Sequence, residues 1–181
     1  MSMAEILDKL SILIEDIIAA LGYPGITLVM FLENIFPPIP SEIVMPFAGF
    51  LVADNGEMTF PGIVIAGALG SVLGALVIYY VGVWADDLVI RRFIRRYGRY
   101  FTVSEQDLDR ALSFFDRYGE AIVFFGRLIP IIRSLISLPA GMKRMPLRRF
   151  LLFTALGTTI WTALLSAAGV ILKENWEDIL T

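Results

Sequence analysis

The 181-residue chain is 57% hydrophobic and 18% charged, whereas soluble domains have roughly 45–50% apolar and about 25% charged residues. Its mean hydropathy of +0.73 is typical of a membrane protein. The sequence has no Cys and no His, which excludes disulfides, thiol chemistry and every mechanism that needs a histidine base or ligand. The net charge of −3 does not indicate a partner.

The N-terminal segment is amphipathic. Residues 3–21 carry apolar side chains on one face at helical spacing, but Asp8, Lys9, Glu15 and Asp16 interrupt any membrane span. We therefore expect an interfacial amphipathic helix over residues 1–22. No basic segment precedes a short apolar core, so we expect no cleaved signal peptide.

The apolar stretch at residues 25–53 is interrupted by Pro37, Pro38 and Pro40. Proline removes a backbone donor and clashes with the preceding turn, so the helix must break there. Non-helical backbone at membrane depth is tolerated only inside protein or beside a wet cavity. This stretch therefore predicts a re-entrant helical hairpin.

Two windows of 23 residues, 62–84 and 150–172, contain no charge. A helix needs about 20 such residues to cross the hydrocarbon core. We predict transmembrane helices over residues 62–84 and 147–172, followed by a tail at 173–181.

The first predicted span also contains small residues at helical spacing, which favour close contact with another helix. They lie in mid-membrane with no strand before them, which argues against a nucleotide-binding loop. These residues are Gly67, Gly70, Ser71, Gly74 and Ala75.

Basic residues are concentrated in two segments. Residues 91–117 and 143–149 hold eleven of the fifteen Lys and Arg residues. Short loops rich in Lys and Arg stay on the cytoplasmic side. We therefore expect residues 85–118 and 143–149 to face the cytoplasm, and the acidic segment at 54–57 to face the other side.

Within the first basic segment, residues 104–118 predict an amphipathic helix that begins at Ser104 and Asp107, a plausible capping pair. The run Arg91–Arg99 interleaves arginines with aromatic residues. Beside a membrane span, the expected partner of this run is the anionic headgroups of the leaflet rather than nucleic acid.

If both basic segments lie on one side, residues 120–142 must enter and leave the membrane by the same face. This stretch is interrupted by Pro130 and Pro139 and carries Arg127 and Arg133. It therefore predicts a second re-entrant hairpin.

The two hairpins resemble each other. F-x-E-x-I-x-P at 31–37 matches F-x-R-x-I-P at 125–130, and P-F-A-G at 46–49 matches P-A-G at 139–141. Each hairpin precedes a span, so the chain has the pattern of an inverted repeat, with a substrate site expected near the midplane. The alternative is chance similarity between two proline-interrupted apolar runs.

Four ionisable residues fall in the hairpins: Glu33 and Glu42 in the first, Arg127 and Arg133 in the second. Each ionised group at the bilayer centre costs about 2.5–3.5 kcal/mol, so four unpaired ones would cost roughly 10 kcal/mol, comparable with the stability of a domain. We expect them to meet in one polar chamber. The alternative is two structural ion pairs that only join the hairpins, although such buried pairs are often no better than apolar packing.

Three motifs resemble those of the DedA family, bacterial relatives of the VTT-domain lipid scramblases. They are E-N-x-x-P-x-I-P-S-E in the first hairpin, G-S-V-L-G-A-L-V-I-Y-Y-V-G at 70–82, and F-G-R-L-I-P-I-I-R-S-L-I-S-L-P-A-G at 125–141. The resemblance covers residues 22–172. One departure is Ala75, where many members have an acid, and this leaves the subfamily open.

The resemblance implies lipid translocation, with undecaprenyl phosphate as the most favoured substrate and the bacterial cytoplasmic membrane as the location. It also implies that Glu33 and Glu42 match the essential acids of the family and that Arg127 and Arg133 match its essential arginines. The fold predicted from the spans and hairpins is an all-α, multi-pass integral membrane protein: an inverted repeat of re-entrant hairpin plus transmembrane helix, with amphipathic interfacial helices.

The residue chemistry agrees with this implication. Guanidinium groups bind phosphate bidentately and stay protonated, so Arg127 and Arg133 are expected to bind a lipid phosphate. Glu33 and Glu42 would be their counter-ions and could couple transport to protons. We expect no cofactor, no metal and no enzymatic activity, and a homo-oligomer is an open alternative.

Other functions remain as alternatives. One is a small proton-coupled cation transporter, in which the glutamates bind the cation. A second is a general phospholipid scramblase. A third, a lipid phosphatase, is disfavoured by the lack of His.

Overall fold

The computed structural model describes residues 13–14, 16–35, 41–55, 58–85, 87–101 and 104–180. Most of the helix expected over residues 1–22 lies outside this part of the chain, as do the prolines of residues 36–40. Within the described part, residues 16–21 are helical and Ile18 is fully buried.

The described residues form helices joined by short turns and contain no strand, so the predicted all-α class is confirmed. In chain order the helices are α1 (Tyr23–Ile35), α2 (Ser41–Asn55), α3 (Phe60–Trp84), α4 (Asp87–Phe101), α5 (Glu105–Tyr118), α6 (Ala121–Gly126), α7 (Pro130–Leu135), α8 (Ser137–Met142) and α9 (Leu147–Leu180).

Two helices, α3 and α9, are long and apolar enough to cross a membrane. Helix α3 begins after Thr59, whose side chain accepts a hydrogen bond from the Gly62 amide at 3.3 Å. The apolar part of α9 covers residues 147–172, and its backbone remains helical to Leu180. Both predicted spans are therefore present as continuous helices.

The predicted hairpin stretches are both broken. The first consists of α1 and α2, on either side of residues 36–40. The second consists of α6, α7 and α8, none longer than six residues. Pro130 is the first residue of α7, whereas Pro139 lies in the first turn of α8, where proline is tolerated, and the break there comes before Ser137.

Helix α1 packs closely against α3. The interior positions Gly70 and Gly74 of α3 have no room for a Cβ atom, because the carbonyl oxygens of Thr27 and Phe31 lie against them. The predicted close helix contact along the small residues of the first span is therefore confirmed.

Helix α2 packs instead on α9. Gly49 lies against the carbonyl oxygen of Ser166, and Gly169 lies against the carbonyl oxygen of Pro46. The two backbones touch directly at both points, so neither glycine could carry a side chain without moving a helix.

Helix α8 makes the corresponding contacts with α3. Gly141 lies against the carbonyl oxygen of Tyr79, and Gly82 lies against the carbonyl oxygen of Leu138. In both seams each helix contributes a glycine and, three residues before it, a residue whose carbonyl oxygen lies against the glycine of the other helix. The two helices of each seam run antiparallel. Each long helix thus contacts one arm of each hairpin.

Helices α4 and α5 pack on each other, and α5 also packs against the short helices of the second predicted hairpin. Arg91 contacts Asp109 at 2.7 Å and Arg95 contacts Glu105 at 2.8 Å. The predicted start of α5 is confirmed, because Ser104 and Asp107 form a reciprocal capping box. Hydrogen bonds from the Ser104 side chain and amide hold the pKa of Asp107 below its usual value.

Candidate functional site

The end of α1 meets α7 through a buried ion pair. Arg133 donates from Nη2 to Oε1 of Glu33, and the two side chains are 7% and 3% exposed. Glu33 lies in the last turn of α1, which ends at Ile35, and Arg133 lies in α7, which begins at Pro130. The expected meeting of the hairpin charges therefore holds for this pair.

Arg127 is buried beside this pair but is held by neutral groups. Its Nη1 donates to Oδ1 of Asn34 at 3.1 Å and its Nη2 donates to Oγ of Ser137 at 2.5 Å. Its Nε is buried and has no partner among the described residues, and the residue is only 1% exposed. A full positive charge is therefore enclosed with no carboxylate hydrogen-bonded to it.

Asn34 joins the two arginines into one network. It accepts from Arg127 through Oδ1, and its Nδ2 donates to the backbone carbonyl of Met30 at 3.3 Å and to Oε2 of Glu33 at 3.4 Å. The hydrogen bonds thus run without interruption from Arg127 through Asn34 and Glu33 to Arg133. An amide suits this place because it can donate to one neighbour and accept from the other.

Helix α9 also packs against the site, in addition to α1 and the short helices of the second hairpin. A Cβ atom at Gly157 would lie 2.7 Å from Cβ of Arg127, so only glycine lets α6 approach here. One turn later, the ring of Trp161 lies 5.7 Å from the guanidinium carbon of Arg133, within the range of a cation–π contact.

Glu42 stands apart from this network. It is exposed, at the start of α2, and forms no hydrogen bond or ion pair with the described part of the chain. It is nevertheless close enough to Glu33 for the two carboxylates to repel each other. Three of the four charged residues expected in one chamber are therefore packed together, and the fourth lies at the margin.

Asn34, Ser137 and Trp161 were not singled out as site residues by the sequence. Asn34 and Ser137 lie inside the motifs around the charged residues, and a polar side chain beside an intramembrane charge is the signal that could have found them. Nothing in the local sequence indicated Trp161, because its place depends on how α9 packs.

The local packing of Asn34 resembles that of Arg127. A Cβ atom at Gly74 would lie 2.6 Å from Cβ of Asn34, as one at Gly157 would from Cβ of Arg127, at 2.7 Å. In each case another near atom is the carbonyl oxygen three residues earlier. The motif comparison set Glu33 against Arg127, so the register given by the contacts differs from it by one residue.

The architecture defines an all-helical membrane protein with an arginine pair enclosed between two broken helical segments. The model of the VTT domain family matches residues 39–171, and this chain belongs to that family. The sequence resemblance to the DedA family is thereby confirmed.

Several curated relatives cover most of the chain. A Lactococcus lactis protein named alkaline phosphatase-like protein is 42% identical over 92% of this chain and 78% of its own length. Proteins named undecaprenyl phosphate transporter A are 35% identical in Bacillus subtilis, over 88% of this chain and 76% of that protein, and 34% identical in Staphylococcus aureus, over 93% and 83%. No solved structure matches the chain.

Proposed function

We propose that this protein moves a phosphate-bearing polyprenyl lipid, undecaprenyl phosphate in the first instance, across the bacterial cytoplasmic membrane. The observation that carries the proposal is Arg127, a buried guanidinium whose hydrogen-bond partners among the described residues are the neutral side chains of Asn34 and Ser137. Burying an unpaired charge is costly, and a structural role would be served better by an apolar residue. An anion that enters the site offsets this cost. Two relatives named for undecaprenyl phosphate transport support the same substrate.

The phosphate would displace contacts that already exist. Its oxygens would accept hydrogen bonds from Arg127 and Arg133, since planar guanidinium groups match phosphate in two-point contacts. Arg133 would exchange Glu33 for the phosphate. The described network, in which Glu33 neutralises Arg133, would then be the state without substrate.

Glu33 and Glu42 would be the groups that couple transport to protons. A phosphate dianion or monoanion beside Arg133 removes the positive neighbour of Glu33, and Glu42 already repels it. One of the two acids would then take up a proton as the lipid binds. This is the route by which a proton gradient could drive the cycle.

The lipid tail would stay among apolar side chains. A groove of about 630 Å³ runs along the outer seam between α1 and α3, and it is lined by Leu28, Phe31, Ile65, Leu69 and Leu73 among others. Phe31, which lines this groove on α1, lies two positions before Glu33. The polyprenyl chain could therefore lie outside the bundle while the headgroup is in the site.

We also propose that the two hairpins are re-entrant, that they enter from opposite faces, and that the halves of the chain form an inverted repeat. The paired glycine seams between α2 and α9 and between α8 and α3 support this arrangement. Binding where broken helices meet is the usual place in such transporters. Helices α4 and α5 would lie on the cytoplasmic side, and the arginines of α4 between Arg91 and Arg99 would contact anionic headgroups.

A cation transporter is less well supported, because the carboxylate of Glu33 is engaged by Arg133 and a second arginine lies beside it. Two buried guanidinium groups repel a cation. The name of the Lactococcus lactis relative mentions phosphatase, but this chain has no His to act as a base.

The direct test uses purified protein in vesicles that contain undecaprenyl phosphate. The fraction of lipid phosphate that a membrane-impermeant phosphatase can reach is followed over time, beside vesicles without protein. We expect faster exchange of this lipid than of phosphatidylcholine. Equal exchange of both would support the general scramblase, and no exchange of either would contradict the proposal. Release of phosphate by the protein alone would indicate a phosphatase.

A further inference from the structure

Helix α9 carries a buried line of hydroxyl groups that the arginine site does not use. Thr154, Thr158, Thr162 and Ser166 are four residues apart, and none is more than 5% exposed. This set is called the hydroxyl face. At about 1.5 Å per residue it covers roughly 18 Å of the helix axis, more than half of the hydrocarbon thickness. The rest of the span is otherwise strongly apolar.

The hydroxyl face extends past the arginines in both directions. Gly157 contacts Arg127 and Trp161 contacts Arg133, so the arginines lie at the middle of the line. Thr154 is nearer the Leu147 end of the helix than both contacts, and Ser166 is nearer the Leu172 end. The four-residue spacing turns the line by about 40° at each step, so Thr154 lies on nearly the same side of α9 as these two contacts, whereas Ser166 lies on the far side, against α2. A group leaving the arginines toward the Leu172 end would therefore pass around α9, between it and α2, to meet Ser166.

Two of these hydroxyls have no partner. The side-chain oxygens of Thr154 and Ser166 are buried without a hydrogen bond to the described part of the chain, as is Nε of Arg127. A buried polar atom without a partner is costly, and in lipid no water compensates for it. Ser and Thr also serve as close-packing residues between membrane helices, but packing alone is satisfied equally well by Ala and Val.

The other two hydroxyls are in a state that can switch. Thr158 donates to the carbonyl of Thr154 at 2.7 Å, and Thr162 donates to the carbonyl of Thr158 at 2.9 Å. A hydroxyl rotates about its C–O bond, so either could turn from its own helix to another acceptor. After such a rotation, the carbonyl oxygens of Thr154 and Thr158 would still accept the hydrogen bonds from the helical amides.

We infer that the hydroxyl face is the track along which the phosphate headgroup of the lipid moves to and from the arginine pair. This inference rests on the proposed function and assigns to it a second set of binding residues. The hydroxyls donate to the phosphate oxygens in turn and replace water while the headgroup is away from the arginines. Helix α2 now covers part of the face, since Gly49 lies against Ser166, so α2 must separate from α9 for passage.

The test removes hydroxyls while the shape is kept. In Thr158→Val plus Thr162→Val we expect transport of undecaprenyl phosphate to fall roughly a hundredfold, because each of the two lost bonds to a charged oxygen is worth about a factor of ten in rate. The matched control is Thr159→Val, the same change on the same helix at an exposed position, which should transport at the wild-type rate.

A second pair of variants separates hydrogen bonding from packing. The Thr162 methyl group lies 3.2 Å from the Cβ position of Gly67, so Thr162→Ser loses this contact and keeps the hydroxyl. Transport retained in Thr162→Ser and lost in Thr162→Val supports the track. Transport lost in both, or retained in Thr162→Val, overturns it.

Ser166→Ala provides a check that does not depend on the folding of the valine variants, since it removes an atom that has no partner. Slower transport with unchanged thermal stability supports the track, and an unchanged rate overturns it. The wild-type assay separates this inference from the function on which it rests. If the wild type moves the lipid and all the hydroxyl variants match it, the track is wrong and the proposed function stands.

Discussion

Glu33 and Arg133 form an ion pair across 100 residues of chain, with both side chains almost fully enclosed. The pair joins the C-terminal turn of α1 to α7. A fixed contact of this kind has consequences for stability, for substrate binding and for pH dependence.

Replacing Glu33 with Gln should destabilise the protein without substrate by about 3–5 kcal/mol, because Arg133 would stay buried without its carboxylate. The measurement is thermal unfolding in detergent. The matched control is Glu105→Gln, which breaks the exposed pair with Arg95 and should cost less than about 1 kcal/mol. Equal melting temperatures for the two variants would show that the buried pair does not stabilise the contact between α1 and α7.

Replacing Arg133 with Lys tests the phosphate contact. Lysine keeps the charge and can still pair with Glu33, but it loses the planar fork. We expect at least a tenfold loss of undecaprenyl phosphate transport with little change in melting temperature. Arg149→Lys, at an exposed pair with Glu120, is the control. Full transport in Arg133→Lys would leave the ion pair a structural role only.

Proton coupling predicts a pH-dependent affinity. If lipid binding adds a proton to Glu33 or Glu42, linkage requires protonation to tighten binding by the same factor. Affinity for undecaprenyl phosphate should therefore rise as the pH falls, and this rise should be reduced in Glu33→Gln or Glu42→Gln. A thermal-shift titration at several pH values measures it. Identical pH profiles in the wild type and both variants would make the two acids ordinary counter-ions.

The sidedness of the loops can be tested with single cysteines, since the native chain has none. Gly56→Cys should react with an impermeant maleimide from outside intact cells. Pro146→Cys should react only after the membrane is opened, and Ser113→Cys on α5 should behave in the same way. Labelling of positions 56 and 146 from one side would contradict the re-entrant topology.

The start of α5 should loosen in acid. The folded pKa of Asp107 is lowered by Ser104, so its stabilising contribution is complete above the unfolded value of about 3.9 and is lost as the pH falls through the folded pKa. Hydrogen exchange of residues 104–110, corrected for intrinsic rates, should show weaker protection below about pH 4 than at pH 7. Asp107→Asn should abolish this difference, and unchanged protection in acid would show that the cap is not ionic.

The sequence predicted the parts of the fold that depend on local chemistry. The two spans followed from uncharged windows, the break before α7 from Pro130, and the start of α5 from Ser104 and Asp107. The pairing of Glu33 with Arg133 was also within reach, because enclosed charges must find partners. Each of these features is determined by the residues of one segment, or by a buried charge with few oppositely charged partners available.

The remaining features depend on helix packing, which no single segment specifies. The exposure of Glu42 follows from the position of α2 relative to α1, and the place of Trp161 follows from the crossing of α9 with α7. The motif comparison set Glu33 against Arg127, whereas the contacts of Gly74 and Gly157 set Asn34 against it, one residue away. A one-residue shift turns a helix by 100°, and short gapped motifs do not resolve it.

The glycine seams limit how this protein can be recombined with its relatives. Gly49 and Gly141 each need a bare stretch of backbone on the facing helix, supplied at Ser166 and Tyr79. A hairpin transplanted from another member would therefore be accepted only together with the turns of the two long helices on which it rests. The two helices of a seam must therefore be exchanged together, although they are far apart in the chain. A chimera with its junctions at the helix ends would take the two helices of a seam from different proteins.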